Sequence, residues 1–341
     1  MRVGSFSLFD QLAGYMDQDL STISGLQQQL SSGKKMSKNS DDVIGVISAM
    51  DYNLELNQDS RYIKNIDNAD TLLGNASSAM SSTFDALNNA KEMALQGLNG
   101  TSSSMDMATL AKQVYSLRDE LLGYANTKTA GGQSVFAGFQ TQTAAYDSSK
   151  YVYQGDLGIV NTQVSGSGVV AVNVPGSTAF SYTLSGPVTI QQADGTSVTY
   201  SMDSYPPPAG DTTIYVKIED GGGNVLESTS FSNFIQLTNN LGDALSSGDT
   251  RMVSALLTPL DDAINQTVSV SSDIGARQSR LANEKNSASG DQANAQILLS
   301  GVQDDNIADT TTQLAKYQAA LQAIRESTAN VISQSLLDFL K

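Results

Sequence analysis

The sequence predicts an α+β protein with long antiparallel helical coiled-coil or bundle arms from both termini and an inserted β-rich outer domain. Three observations carry this expectation. Apolar residues recur at every seventh position near both ends, the signature of a helix with a one-sided seam. The first proline is Pro175 and five of the six lie between Pro175 and Pro208, so the first part of the chain is free of proline. Around those prolines, runs rich in Val, Thr and Tyr alternate with Gly, Pro and Asp-Gly turn signals, as antiparallel strands do. The expected division is residues 1–40 with 303–341 as terminal coiled-coil arms, 41–132 with 229–302 as a helical bundle, and 133–228 as the β-rich insertion.

In the first arm Phe9, Met16, Ile23 and Leu30 step by seven, with Leu12, Leu20 and Leu26 on intermediate turns. The polar, glycine-containing stretch LSSGKKMSKNSDDVIG at 30–45 interrupts the pattern. In NSDD, Asn39 or Ser40 suits an N-cap, and Asp41 and Asp42 suit the positive end of the helix that follows. That helix carries Ile66, Leu73, Met80, Leu87 and Ala94 at seven-residue steps, flanked by Ala69, Ala76 and Ala90, which let a neighbour approach closely. Running to Gly97 it would be about 85 Å long at 1.5 Å per residue. SSMD at 103–106 has capping-box spacing and opens a further helix with Met107, Leu110, Val114, Leu117 and Leu121 inward.

Strands are expected at SVFAGF, KYVYQG, GVVAVNVPG, AFSYTLSG, SVTYSM and TTIYVKIED, with EDGGGN at 219–224 as a hairpin turn. Helical periodicity then returns in FSNFIQLTNNLGDAL. Thr258 and Pro259 read as a cap and first helical position, opening a helix with Leu260, Ile264, Ile274 and Leu281 inward. The last arm carries Ile307, Leu314, Tyr317, Leu321, Ile324 and Val331 at alternating steps of three and four. A single helix cannot bury such a stripe. The expected subunit-packing seam is therefore Phe9, Met16, Ile23 and Leu30 with Leu314, Leu321, Ile324 and Val331, pairing the two ends with each other and then with further copies.

Composition narrows the function. Lys and Arg total 19 against 35 acidic residues, a formal charge of -16, which argues against nucleic acid or an anionic membrane surface as partner. Cys, His and Trp are absent, which removes disulfides, the commonest transition-metal ligands and most nucleophile and general-base arrangements. No catalytic, cofactor or metal site is expected. The pairs Asp41/Asp42, Asp261/Asp262 and Asp304/Asp305 read as helix-end charge, because adjacent helical side chains diverge by about 100° and converge poorly on a ligand. Met80, Met93, Met105 and Met107 read as core. Lys34, Lys35 and Lys38 read as a solvated loop. MRVGSFSLFDQLAGYMDQDL lacks the apolar run and small-residue site of a cleaved signal peptide, and no stretch has the roughly 18 apolar residues of a membrane span.

The N-terminal heptad helix followed by LSSGKKMSKNSDDVIG resembles the flagellin superfamily, and SSDIGARQSR with LANEKN resembles its C-terminal element. Three stretches resemble the flagellar hook-associated protein 3 family rather than flagellin: YANTKTAGGQSVFAGFQTQTAAY at 124–146, YQGDLG from 153, and the terminal SQSLLDFL. The resemblance covers about residues 1–160 and 230–341; residues 160–228 match nothing nameable. It implies a structural protein of the bacterial flagellum, exported without cleavage and extracellular, that adapts the hook to the filament. It also implies an inner layer built from both terminal arms, copies of itself in a helical ring, a hook-associated neighbour on one side, flagellin on the other and an export chaperone. The alternatives are flagellin itself, or a carbohydrate-binding or hydrolytic β domain on coiled-coil arms with Asp156, Asp203, Asp211 and Asp220 as candidate carboxylates.

Overall fold

The computed structural model describes residues 2–36, 42–99, 103–204 and 212–339, with side chains described from Asp10 to Asn330 of these. Among the described residues seven helices and six strands follow in order: α1 (Arg2–Ser32), α2 (Val43–Gly97), α3 (Ser104–Ala125), β1 (Asn161–Gln163), β2 (Val169–Ala171), α4 (Gly176–Ala179), β3 (Val188–Gln191), β4 (Ser197–Ser201), β5 (Ile214–Glu219), β6 (Val225–Phe231), α5 (Phe234–Ser247), α6 (Thr250–Gln303) and α7 (Ile307–Phe339). The chain forms two compact units, Met1–Arg61 with Ala288–Lys341 and Tyr62–Ser287. Both α2 and α6 contribute to each.

In the second unit the seven-residue stripe of α2 is core: Ile66, Leu73, Met80, Leu87 and Ala94 are buried, as are Ala69, Ala76 and Ala90. Its α6 neighbour runs antiparallel and is tied to it by Lys91–Asp261 at 2.5 Å and Lys285–Asp67 at 2.7 Å. Helix α3 opens on the expected capping box, with Ser103 and Asp106 each accepting from the other's backbone N–H. Its inward residues Met107, Leu110, Val114, Leu117 and Leu121 are buried. Helix α5 packs on α3 through Gly242, where a Cβ would lie 2.5 Å from the Tyr115 ring, so only glycine lets the helices approach this closely. Met80 and Met107 are core, whereas Met105 is on the surface.

The break expected before Pro259 does not occur. Helix α6 starts nine residues earlier, at Thr250, after Gly248 ends α5 in the left-handed region (φ 74°) and Asp249 caps the Met252 N–H at 3.0 Å. A proline inside a helix frees the carbonyl four residues back. Here that carbonyl, of Ala255, accepts the buried Tyr200 hydroxyl from β4 at 2.8 Å. A partner 55 residues away in the chain thus satisfies the group that would otherwise disfavour the helix.

Strands β3–β6 form a consecutive antiparallel meander. SVTYSM and TTIYVKIED supply β4 and β5, with Val198, Tyr200, Ile214, Val216 and Ile218 facing the core. EDGGGN is the β5–β6 turn, with Gly223 at φ 82° and Asp220 accepting from the Gly222 and Asn224 N–H groups. GVVAVNVPG contributes only the three-residue β2, paired with β1. SVFAGF, KYVYQG and AFSYTLSG are not strands. Their backbone is organised instead by side chains around an aromatic core. Phe180 meets Phe136 and Tyr146 edge-on at 4.9 and 5.9 Å. The Tyr146 hydroxyl donates to the Gly176 carbonyl at 2.9 Å. The Tyr153 hydroxyl lies 2.9 Å from the Phe136 carbonyl and 2.8 Å from that of Asp156, and burial pushes its pKa up to about 12, so it stays a protonated donor. Gly138, at φ 68°, could not carry a side chain, because a Cβ would lie within 2.4 Å of the Asp156 backbone oxygen. Turns that tight override strand propensity.

Candidate functional site

In the first unit the two terminal helices pack on each other. Ile23, Leu26 and Leu321 are buried between α1 and α7, each 8% exposed. Met16, Leu314 and Ile324 are half-buried, and Leu30 lies at the exposed edge. Phe9 and Val331 lie outside the residues whose side chains are described. Six of the eight expected seam residues can thus be placed. Ile23 and Leu321 are buried within the chain itself, so the buried part of this seam closes intramolecularly.

Both arms break at the same level. Gly33, in the left-handed region at φ 67°, ends α1, its N–H reaching the Gln29 carbonyl. The chain then forms a short antiparallel bridge with the α6–α7 joint: the Lys35 N–H donates to the Gln303 carbonyl at 2.8 Å, and the Asp305 N–H to the Gly33 carbonyl at 3.0 Å. Gln29 Nε2 donates to the Lys35 carbonyl at 2.7 Å, and Thr310 Oγ1 to Asp305 Oδ1 at 2.7 Å. Of the expected cap, Asn39, Ser40 and Asp41 lie outside the described residues. Asp42 performs it, accepting the Gly45 N–H at 2.9 Å. LSSG is therefore a helix stop whose following residues are hydrogen-bonded to a second helix stop, between α6 and α7.

Beyond the bend the first turns of α2 have an inverted polarity. The faces turned inward carry Gly45, Ala49 and Asp59 on α2 and Ala288, Ala295 and Leu299 on α6. Val43, Ile47, Met50 and Leu54, at helical spacings of four, three and four, lie on one exposed face, and Leu54 is 67% exposed. Ile44, Ile297, Leu298 and Ile307 of the same unit are also exposed, Ile44 at 79% and Ile297 at 68%. Isolated exposed apolar residues are ordinary, but a periodic apolar face on a helix is a candidate interaction surface. Reading the sequence for inward stripes missed it. The signal was present in the spacing of Val43, Ile47, Met50 and Leu54.

The carboxylates considered for chemistry do not converge. Asp156 Oδ1 accepts the Phe139 and Gly158 N–H groups, each at 2.8 Å, and Asp203 accepts the Tyr215 hydroxyl at 3.1 Å. The turn hydrogen bonds of Asp220 hold its carboxyl below the usual range. Asp211 lies outside the described residues. Asp261 pairs with Lys91, and among the described residues no group of three or more acidic or other ligating side chains could hold a metal ion. No described helix is long and apolar enough to cross a membrane.

The first unit thus combines paired terminal helices, two helix ends hydrogen-bonded to each other, and an exposed apolar face on α2. Residues 11–141 match the family described as the bacterial flagellin N-terminal helical region. The chain resembles flagellar hook-associated protein 3 from end to end: it is 24% identical to the Salmonella typhimurium protein of that name over 98% of both chains. With flagellar hook-associated protein 3 of Escherichia coli it is 33% identical over 45% of this chain and 48% of that one, about half its length. Flagellin D of Vibrio anguillarum matches over only 34% of this chain and 31% of its own, at 28% identity. The fold is shared with a putative flagellar hook-associated protein from Vibrio parahaemolyticus (TM-score 0.60, 18% identity, 77% of this chain and all of that one). It is also shared with the flagellar junction protein FlgL from Legionella pneumophila (TM-score 0.55, 18% identity, 75% of this chain and all of that one).

Proposed function

We propose that this chain is a structural component of the bacterial flagellum that joins hook to filament. The observation that carries the reading is its end-to-end similarity to hook-associated protein 3, against flagellin matches confined to about a third of the chain. The mechanism is packing. Residues 1–40 and 303–341 form the inner layer, 41–132 with 229–302 the helical layer outside it, and 133–228 the outer domain. Copies associate head to tail in a helical ring through the terminal seam and the exposed face of α2, burying side chains that the free chain leaves in water. An unlike hook-associated protein lies on the hook side and flagellin on the filament side. The chain leaves the cell without signal cleavage, escorted by an export chaperone.

Deleting the gene tests this: hooks should remain intact while unpolymerised flagellin enters the medium. Purified protein added to hook fragments should stop after a short segment. The second reading, flagellin, draws on the match of residues 11–141 to the flagellin N-terminal region. Micrometre-long filaments grown from the purified chain alone, or loss of the major filament protein on deletion, would establish it instead.

A further inference from the structure

In the first unit Asp59 of α2 faces inward where the helical pattern calls for an apolar side chain. Asp59 is 8% exposed, and its Oδ2 is buried with no hydrogen-bond partner. The charged groups acting on it are Glu55, one turn earlier on α2, and Asp291 on α6, both acidic. A carboxylate so placed, with no ion pair among the described residues, is disfavoured in its ionised form by desolvation and by like charge. Since the described residues offer no metal-holding group, the ligand that suits this site is a proton.

We propose that Asp59, flanked by Glu55 and Asp291, makes the α2–α6 pair of the first unit a pH-sensitive element that tightens on protonation and loosens as the carboxylate ionises. Burial first, and then the charges of Asp291 and Glu55, raise the Asp59 pKa above its ordinary value. In the window between the unfolded and folded values the folded pair therefore holds a proton that the unfolded chain has released. Its contribution to stability is complete below the unfolded value and is lost as pH rises through the folded one. Elsewhere the sign is reversed: Asp106, in the capping box of α3, is lowered chiefly by its hydrogen bonds to Ser103, so that helix end weakens in acid. The inference is independent of what the chain assembles with.

The test is hydrogen exchange by mass spectrometry on the full-length monomer between about pH 4 and about pH 7, corrected for the intrinsic rate. Amides of 45–59 and 288–299 should become several-fold better protected on acidification, while the first turn of α3 should not. Asp59→Asn, and Asp59→Leu in case the buried amide is itself poorly accommodated, should give the acid level of protection at neutral pH and flatten the profile. Glu55→Gln and Asp291→Asn should act in the same direction, less strongly. A wild-type profile in these segments that is flat or falls in acid would overturn the proposal. So would lower protection than wild type at neutral pH in both Asp59 variants.

Discussion

The two halves of α2 use the same kind of sequence in opposite ways. From Ile66 to Ala94 the apolar stripe points into the protein and is buried almost completely. From Val43 to Leu54 the apolar stripe points out, and the inward face carries Gly45, Ala49 and Asp59. The first arrangement completes a core and stabilises the monomer. The second contributes little to the monomer and leaves apolar surface that no described residue covers. A continuous helix can thus hold a folding face and an assembly face on different stretches, and stability measurements on the free chain should respond only to the first.

The largest expected effect on folding comes from the buried stripe. Leu87→Ala removes most of a fully buried side chain, and such truncations cost about 2–5 kcal/mol. A thermal melt should show it directly, with junction assembly falling only as far as the folded fraction falls. Next is the pairing of the arms. Ile23→Asp or Leu321→Asp places a carboxylate in the α1–α7 contact at a cost of several kcal/mol to that pair. Attachment of filaments should be lost while the melt of the second unit is unchanged; normal incorporation of either variant would show the seam to be misplaced. A smaller loss is expected for Tyr200→Phe, which leaves the Ala255 carbonyl unpartnered beside Pro259, about 1–3 kcal/mol. Exchange should rise locally around Ala255 if that hydroxyl holds the helix through its proline. The smallest effect on stability belongs to Ile47→Ser with Leu54→Ser, within about 0.5 kcal/mol of wild type because both positions face water in the monomer. The same pair should nonetheless prevent assembly. If it also unfolds the first unit, the outward face is structural and the contrast between the halves of α2 disappears.

Much of this was legible in the sequence where local rules act alone. The stripe from Ile66 to Ala94 and the Ser103–Asp106 capping box follow from periodicity and spacing, and the structure has both. Pro259 was misread because the Tyr200 hydroxyl that satisfies its turn comes from a strand no local pattern connects to it. SVFAGF and KYVYQG have strand composition, yet the Gly138 turn and the hydrogen bonds of Tyr146 and Tyr153 hold their backbone in irregular loops. The face from Val43 to Leu54 was overlooked for a different reason. Periodicity shows that a helix has an apolar side, but not whether its own chain will cover it.

The central claim, that this face waits for a partner, is tested most directly by comparing hydrogen exchange of the free chain with that of the chain assembled on hook fragments. Segments 43–56 and 295–307 should gain protection on assembly, and 66–94, already protected, should not change. Full protection of 43–56 in the monomer, or no gain there in the assembled protein, would contradict the account.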